Sequence, residues 1–202
     1  MESIWENIST ALELSPEVSS KWLRKLRTQY SEGHRHYHNE SELIRRKVTH
    51  LTGASVCLQL ATLFQYYHFE ADKDCVTQNC AAVDEFFVDA QLDNKDLEAD
   101  VKRLLGDMKA DAHDLPEEDV QFFQDLDLLV LGIPAEEYQK YTELLRNECQ
   151  VAGTSSYDRM RLKLLQTLSR IPCIYSTKEF SERFETLARR NIEQEIADLQ
   201  RK

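Results

Sequence analysis

The chain has 202 residues, of which 42% are hydrophobic and 30% are charged, with only five Gly and four Pro. This composition excludes a fibrous or disordered protein and favours one well-ordered soluble domain. The formal net charge of −11 argues against a broad surface for nucleic acid or anionic membrane, because phosphate binding relies on clustered Lys and Arg.

The sequence also predicts an intracellular protein. Residues 1–14 carry early acids and no basic start followed by an apolar stretch, so they do not resemble a secretory signal. No apolar run approaches the length that a bilayer-spanning helix needs. The cysteines are scattered without a CxxC pair, which predicts reduced thiols: Cys57, Cys75, Cys80, Cys149 and Cys173. We therefore expect a cytoplasmic or otherwise intracellular protein with no membrane partner.

The first predicted elements are two amphipathic helices. Apolar residues at helical spacing predict an accessory helix within residues 1–14. The second helix is expected to begin at Ser15 as its N-cap, with Pro16 at the first helical position, where the missing N–H costs nothing. Its apolar stripe comprises Val18, Trp22, Leu26 and Tyr30.

The next two predicted helices flank a break at Gly53. One is expected over residues 40–51. The other, over residues 55–69, is apolar on almost every side. A helix that is hydrophobic all round is usually buried. This segment is therefore predicted to be the central helix of the domain.

Further helical stripes follow to the end of the chain, separated by Gly, Pro and acidic turns. The predicted ranges are 76–90, 96–110, 117–131, 135–149 and 157–168. The last helix is expected to begin with a capping box formed by Ser176 and Glu179. No segment alternates as a strand, so the sequence predicts an all-α bundle of about eight to ten helices.

Three of the chain's six histidines lie within five residues, at His34, His36 and His38. On a helix, His34 and His38 would share one face, as paired metal ligands do, and His36 would point elsewhere. In an extended loop the three would spread differently. No HExxH frame surrounds them, so the sequence leaves open both metal ligation and an ordinary surface role.

Asp125 and Asp127 interrupt a strongly apolar predicted helix. A buried carboxylate costs several kcal/mol unless it is paired, hydrogen-bonded or bound to a cation. Positions two apart lie about 200° apart around a helix axis, so we expect one acid to be paired or functional and the other to be solvated or capping. Arg146, Arg161 and Arg189 are candidate partners, because a guanidinium suits either carboxylate or phosphate.

Two runs of basic residues and one acidic loop are predicted to be solvated surface. The first run comprises Lys21, Arg24, Lys25 and Arg27, and the second comprises Arg45, Arg46 and Lys47. The acidic loop covers residues 111–119, and steering of a basic surface is its alternative role.

Five short motifs occur in order along the chain: RHYHN at 35–39, LATLF at 60–64, DLDLLVLG at 125–132, YQKYTELLRNE at 138–148 and LARRNIEQEI at 187–196. Their order and spacing, from about residue 22 to 199, resemble a family of predicted metal-dependent phosphohydrolases of the HD superfamily. The resemblance implies a single all-helical domain of HD type over residues 1–202.

The same resemblance implies a metal centre whose ligands this chain has partly lost. In the superfamily an adjacent His-Asp pair, an earlier His and a later Asp hold a divalent metal that activates water against a phosphate ester. The pair should directly follow LATLF, where this chain has Gln65 and Tyr66. An amide and a phenol cannot supply the charge and lone pairs that a divalent ion requires.

The first motif of the family resembles R-x-Y-H-N-L-x-H-I. The chain keeps Arg35, Tyr37, His38 and Asn39, but the second His falls on Glu42. We therefore expect no catalysis and no bound cofactor or metal. The former-site pocket would comprise Arg35, Tyr37, His38, Glu42, Gln65, Tyr66, Asp125 and Asp127.

The sequence thus supports two functions. The first is a pseudoenzyme that binds a protein partner or a small phosphate-bearing ligand through the former cleft. The alternative is an active phosphohydrolase on a nucleotide or similar phosphomonoester, with a divalent metal held by His38, Asp125 and His68 or Glu42. A shifted alignment that uses His68 and Asp72 would favour the enzyme. The polar residues of the motifs also have a structural interpretation, in which they hydrogen-bond one another and fix helix packing.

Overall fold

The computed structural model describes residues 1–71, 73–107, 115–152 and 154–201. Ten α-helices, one π-helical segment and two 3-10 segments occur in these ranges, and no β-strand does. The predicted all-α class is confirmed. The chain groups into two compact units, Met1–Val120 and Gln121–Lys202.

The first unit holds six helices. Their bounds are α1 (Glu2–Ala11), α2 (Pro16–Tyr30), α3 (Arg45–Val48), α4 (Val56–Phe64), α5 (Val76–Asp89) and α6 (Lys95–Leu105). A π-helical segment, Glu40–Ile44, runs directly into α3. The predicted α-helix over 40–51 is therefore wrong at both ends. Its first five residues form the wider π-helical segment, and α3 ends at Val48.

Helix α4 is the centre of the first unit. Every residue from Cys57 to Phe64 is buried, and the helix packs against α1, α5 and α6. The prediction of a buried central helix is confirmed. The helix ends at Phe64 rather than Phe69, so Gln65 and Tyr66 lie just beyond its C-terminal end, where backbone carbonyls lack helical donors.

Aromatic rings fill the space around α4. The Trp22 ring of α2 lies 5.8 Å from the Phe64 ring and 5.4 Å from the Phe86 ring of α5, centroid to centroid. The predicted N-cap of α2 is confirmed, because the Ser15 side chain accepts a hydrogen bond from the Val18 N–H. Local capping thus fixes where α2 begins, and aromatic packing fixes its buried face.

The second unit holds the remaining elements. They are most of α7 (Glu117–Leu128), a 3-10 segment (Leu129–Gly132), α8 (Ala135–Glu148), a second 3-10 segment (Cys149–Ala152), α9 (Thr154–Leu168) and α10 (Lys178–Gln200). The helix predicted over 117–131 therefore ends three residues early and tightens into 3-10 turns. Helix α10 packs against the first 3-10 segment, α8 and α9.

Gly132 allows α10 to approach the first 3-10 segment closely. A Cβ atom at this position would lie 2.5 Å from the Phe184 Cβ and 2.9 Å from the Phe184 carbonyl oxygen. Neither atom can move without a shift of the α10 backbone. A glycine is therefore required here by space.

Two smaller findings complete the fold. The capping box predicted at Ser176 and Glu179 is wrong, because Thr177 is the N-cap of α10 and its side chain makes no capping hydrogen bond. Among the described residues, no helix combines the length and the apolar character that crossing a membrane requires.

Candidate functional site

Arg35 holds the turn that follows α4. Its side chain is buried, and the residue is 4% exposed. One terminal nitrogen donates to the Tyr66 carbonyl at 2.5 Å and the other donates to the Tyr67 carbonyl at 2.8 Å. The Nε atom donates to Glu32 Oε2 at 2.8 Å. Arg35 therefore holds the turn that carries Tyr66 and Tyr67.

His38 is packed among aromatic rings. Its imidazole stacks on Phe69, with ring centroids 4.0 Å apart, and lies 4.6 Å from the Tyr66 ring. The Tyr37 ring meets it edge-on at 5.1 Å. The structure thus brings Arg35, His38 and Tyr66 together around the end of α4.

The other two histidines of the cluster lie elsewhere. His36 is exposed, and the exposed His34 places Nε2 3.1 Å from the Phe69 carbonyl oxygen. Residues 31–39 are not helical, so of the two alternatives the structure has the loop, and His34 and His38 share no helix face. Within the described ranges, no group of three or more His, Cys, Asp or Glu side chains is placed to hold a metal ion.

Asn39 organises the loop that contains the first motif. Its amide nitrogen donates to the Arg35 carbonyl at 3.0 Å and to the His36 carbonyl at 2.9 Å. Its amide oxygen accepts from the Glu42 N–H at 2.9 Å and so caps the π-helical segment. Glu42 in turn lies 3.5 Å from an Arg46 nitrogen. These contacts fit the structural interpretation of the motif.

Lys47 is the unexpected member of this site. The basic run that contains it was predicted to be solvated, yet Lys47 is only 2% exposed, so that prediction is wrong at this residue. Its ammonium donates to Gln65 Oε1 at 2.6 Å and lies 5.2 Å from the centre of the Tyr66 ring. A buried charge must be compensated, and the Gln65 amide oxygen supplies part of that compensation.

Asn79 is a second residue that sequence reasoning missed. It is buried on α5, donates to the Gln65 carbonyl at 2.7 Å and accepts from the His68 N–H at 2.7 Å. Burial lowers the pKa of the His68 imidazole, and the Arg35 charge acts in the same direction. The available signal was an amide within an apolar stripe, since Asn79, Val83 and Phe86 share one face of α5.

Asp125 belongs to the second unit and is satisfied by backbone donors. It is 1% exposed. Its Oδ1 accepts from the Ser176 N–H at 2.8 Å, and its Oδ2 accepts from the Thr177 N–H at 2.7 Å and the Thr177 hydroxyl at 2.6 Å. The carboxylate thus caps the N-terminus of α10, where the helix dipole also favours negative charge. Asp127 is only partly buried.

Arg161 forms a buried network with Glu195. The guanidinium, on a residue 6% exposed, donates from Nε to Glu195 Oε1 at 2.9 Å and from a terminal nitrogen to Oε2 at 3.0 Å. The hydroxyls of Tyr138 and Tyr141 accept from the terminal nitrogens at 3.2 Å and 3.3 Å. Tyr138 also donates to Glu195. Burial raises the pKa of Tyr138, so this hydroxyl stays protonated.

The other two candidate arginines have different partners. Arg146 donates to Asp158 Oδ1 at 2.7 Å. Arg189 donates to Glu185 at 2.7 Å and to the carbonyls of Ile171 and Pro172 at 2.7 Å and 3.0 Å. Both therefore take part in the helix packing of the second unit.

The predicted pocket residues fall into both units. The first unit contains Arg35, Tyr37, His38, Glu42, Gln65 and Tyr66, and the second contains Asp125 and Asp127. Asp72 and residues 111–114 of the acidic loop lie outside the described residues.

Comparison of the chain with protein-family models, with curated proteins and with solved structures found no match. Membership of the HD superfamily therefore stays a prediction.

Proposed function

We propose that this chain is a catalytically inactive protein of HD type, a pseudoenzyme whose helical scaffold binds a protein partner or a small phosphate-bearing ligand. The family part of the proposal rests on the five motifs. The loss of catalysis rests on one observation, which is the hydrogen bond from the buried Lys47 ammonium to Gln65 Oε1 at 2.6 Å. Gln65 stands at the first position of the expected His-Asp pair.

Electrostatics make this arrangement unfavourable for a divalent metal. The amide oxygen of Gln65 is neutral and already accepts from a cation. A unit positive charge and a dication about 4 Å apart repel by about 8 kcal/mol at an effective dielectric constant of about 20. A metal centred on Gln65 would have to displace Lys47 or overcome that repulsion.

The partners of two other pocket residues support the same proposal. Buried polar groups need hydrogen-bond partners, and a buried group without one points to a ligand or ion. Arg35 has four carbonyl or carboxylate acceptors. Asp125 has three donors from Ser176 and Thr177. Both are therefore accounted for by the fold.

The test combines metal content with turnover. Protein purified without chelator is analysed for Mn, Fe, Zn, Mg and Co, and phosphate release from a nucleotide panel is measured with each metal added back. We expect metal far below one equivalent per chain and no turnover. Stoichiometric metal with turnover that disappears in Asp127→Asn would contradict the proposal. Asp127→Asn suits this test better than Asp125→Ala, since Asp125 holds the start of α10.

The proposed binding of a phosphate-bearing ligand is tested by a separate measurement. The same nucleotide panel is titrated in the presence of chelator, and the melting temperature is followed. A compound that raises the melting temperature without metal is a ligand of the scaffold, because ligand binding to the folded state stabilises it. Ligand binding that appears only with added metal would favour the phosphohydrolase instead.

A further inference from the structure

A cavity of about 350 Å³ opens on the surface of the first unit, on one face of α2. Its lining residues are Lys21, Arg24, Lys25, Thr28, Gln29 and Tyr67. Each of these side chains carries a hydrogen-bond donor, and none carries a negative charge. This is unusual local chemistry on a chain with a formal net charge of −11.

Two lysines of the cavity are held in place by acids on α5. The Lys21 ammonium donates to Asp89 Oδ2 at 2.7 Å, and the buried Trp22 indole donates to the same oxygen at 3.0 Å. The Lys25 ammonium donates to Glu85 Oε1 at 2.5 Å. An ammonium has three donors, so each lysine keeps two for a ligand while its position is fixed.

Arg24 supplies the positive charge that these acids do not balance. It lies between the two lysines on α2, and its guanidinium makes no hydrogen bond or ion pair within the described ranges. Three cations against Asp89 and Glu85 leave a local excess of one positive charge. A guanidinium also offers paired donors in the geometry that phosphate accepts.

Tyr67 forms the inner wall of the cavity. The residue is 5% exposed, and its ring stacks on Phe64 at 5.7 Å between centroids. Its hydroxyl makes no hydrogen bond to any described residue. Burial, followed by the charges of Glu85 and Glu32, raises the pKa of Tyr67, so the hydroxyl remains a donor at neutral pH.

We propose that this cavity binds a small molecule bearing a multiply charged phosphate group, with Arg24 and Tyr67 as the principal donors and Lys21 and Lys25 as supporting ones. Lys47 and Gln65 do not line this cavity, and the proposal does not depend on the proposed loss of catalysis. The volume suits a phosphate or pyrophosphate group, since ligand cavities start at about 300 Å³.

The experiment uses inorganic pyrophosphate as the probe and the full chain as the protein. Isothermal titration calorimetry at low salt should detect binding to the unmodified chain. Arg24→Gln should weaken it about tenfold, because one hydrogen bond to a charged group is lost. Tyr67→Phe should weaken it by a smaller factor. The control is Arg27→Gln on the same helix, which lies outside the lining and pairs with Glu2 at 3.2 Å.

Several results would overturn the proposal. They are undetectable binding to the unmodified chain, an equal loss of affinity in Arg24→Gln and Arg27→Gln, or unchanged affinity in Tyr67→Phe with an unchanged melting temperature. A separate arm tests vesicles containing phosphatidylinositol phosphate. If the chain sediments with these vesicles but does not bind free pyrophosphate, the cavity binds a lipid headgroup. That result would contradict the small-molecule proposal.

Discussion

Asp125 and Thr177 are joined by two hydrogen bonds, one from the Thr177 N–H at 2.7 Å and one from its hydroxyl at 2.6 Å. A third bond comes from the Ser176 N–H at 2.8 Å. The buried carboxylate therefore fixes the point at which α10 begins. Asp125→Ala would leave these donors without a buried acceptor.

We expect Asp125→Ala to lower the free energy of unfolding by about 3 kcal/mol, because each hydrogen bond to a charged group contributes about 1.5–3 kcal/mol and the losses overlap. Asp125→Asn keeps one carbonyl oxygen and should lose less. Urea denaturation followed by circular dichroism measures both. Equal stability of Asp125→Ala and the unmodified chain would show that the buried cap contributes nothing.

The Arg161–Glu195 pair should show strong coupling. Arg161→Met removes the buried guanidinium and leaves the partly buried Glu195 without its bidentate partner, and we expect a loss of about 3 kcal/mol. The double variant Arg161→Met/Glu195→Met should lose less than the two single losses added together. A matched control is Arg146→Met, whose half-exposed pair with Asp158 should cost less than about 1 kcal/mol. If the stability losses of the two single variants add up to that of the double variant, the coupling between Arg161 and Glu195 is contradicted.

Gly132→Ala should disrupt the second unit. The added Cβ would lie 2.5 Å from the Phe184 Cβ, and overpacking of this kind costs about 1–3 kcal/mol or more. Gly33→Ala is the control, because nothing lies within 4 Å of the added atom. That variant should be unchanged or more stable by about 0.5 kcal/mol through a less flexible unfolded chain. Thermal melting of both variants checks the contrast.

Lys47→Met should destabilise the first unit even though it replaces a buried charge with an apolar chain. The partly buried Gln65 Oε1 would lose its donor, at a cost of about 1 kcal/mol. Arg45→Met is the control on the same helix, and exposed substitutions of this kind usually change stability by less than about 0.5 kcal/mol. If Lys47→Met and the unmodified chain have the same melting temperature, the charge argument at Gln65 loses its main support.

Asp89 should contribute a pH-dependent part of the stability. The hydrogen bond from Lys21 lowers the pKa of this carboxyl below its ordinary value of 3.8. A lowered folded-state pKa stabilises the fold above the unfolded value, and the gain is lost as pH falls through the folded value. The difference in unfolding free energy between the unmodified chain and Asp89→Asn should therefore shrink below pH 3.8. A difference that stays constant from pH 6 to about 3 would contradict this assignment.

Local sequence signals predicted the start of α2, although the capping box expected for α10 was wrong. Ser15 with Pro16 sets the beginning of α2, and Asn94 accepts from the Leu97 N–H at the beginning of α6. These interactions span three residues, so the sequence alone contains them. Helix ends were harder to predict, because α4 stops at a turn whose Tyr66 and Tyr67 carbonyls accept from Arg35, 31 and 32 residues away.

The candidate site was predictable only in its residue types. One of Asp125 and Asp127 was expected to be paired or functional, and Arg side chains were the candidate partners. The structure assigns this position to Asp125. Its actual partners are mostly backbone N–H groups about fifty residues away, and no side-chain pattern announces a backbone donor. The prediction that Lys47 is solvated was wrong for a related reason. The burial of Lys47 depends on the winding of the segment before α3.

That winding has a consequence for deleted residues. A π-helical turn holds one more residue than an α-helical turn, so a chain shortened by one residue within Glu40–Ile44 would close this turn with α-helical winding. Four residues at about 100° each span about one turn, as the π-helical segment does. Lys47 would then still face Gln65. The wider turn therefore lets this segment lose one residue without a change in which side chain the interior receives.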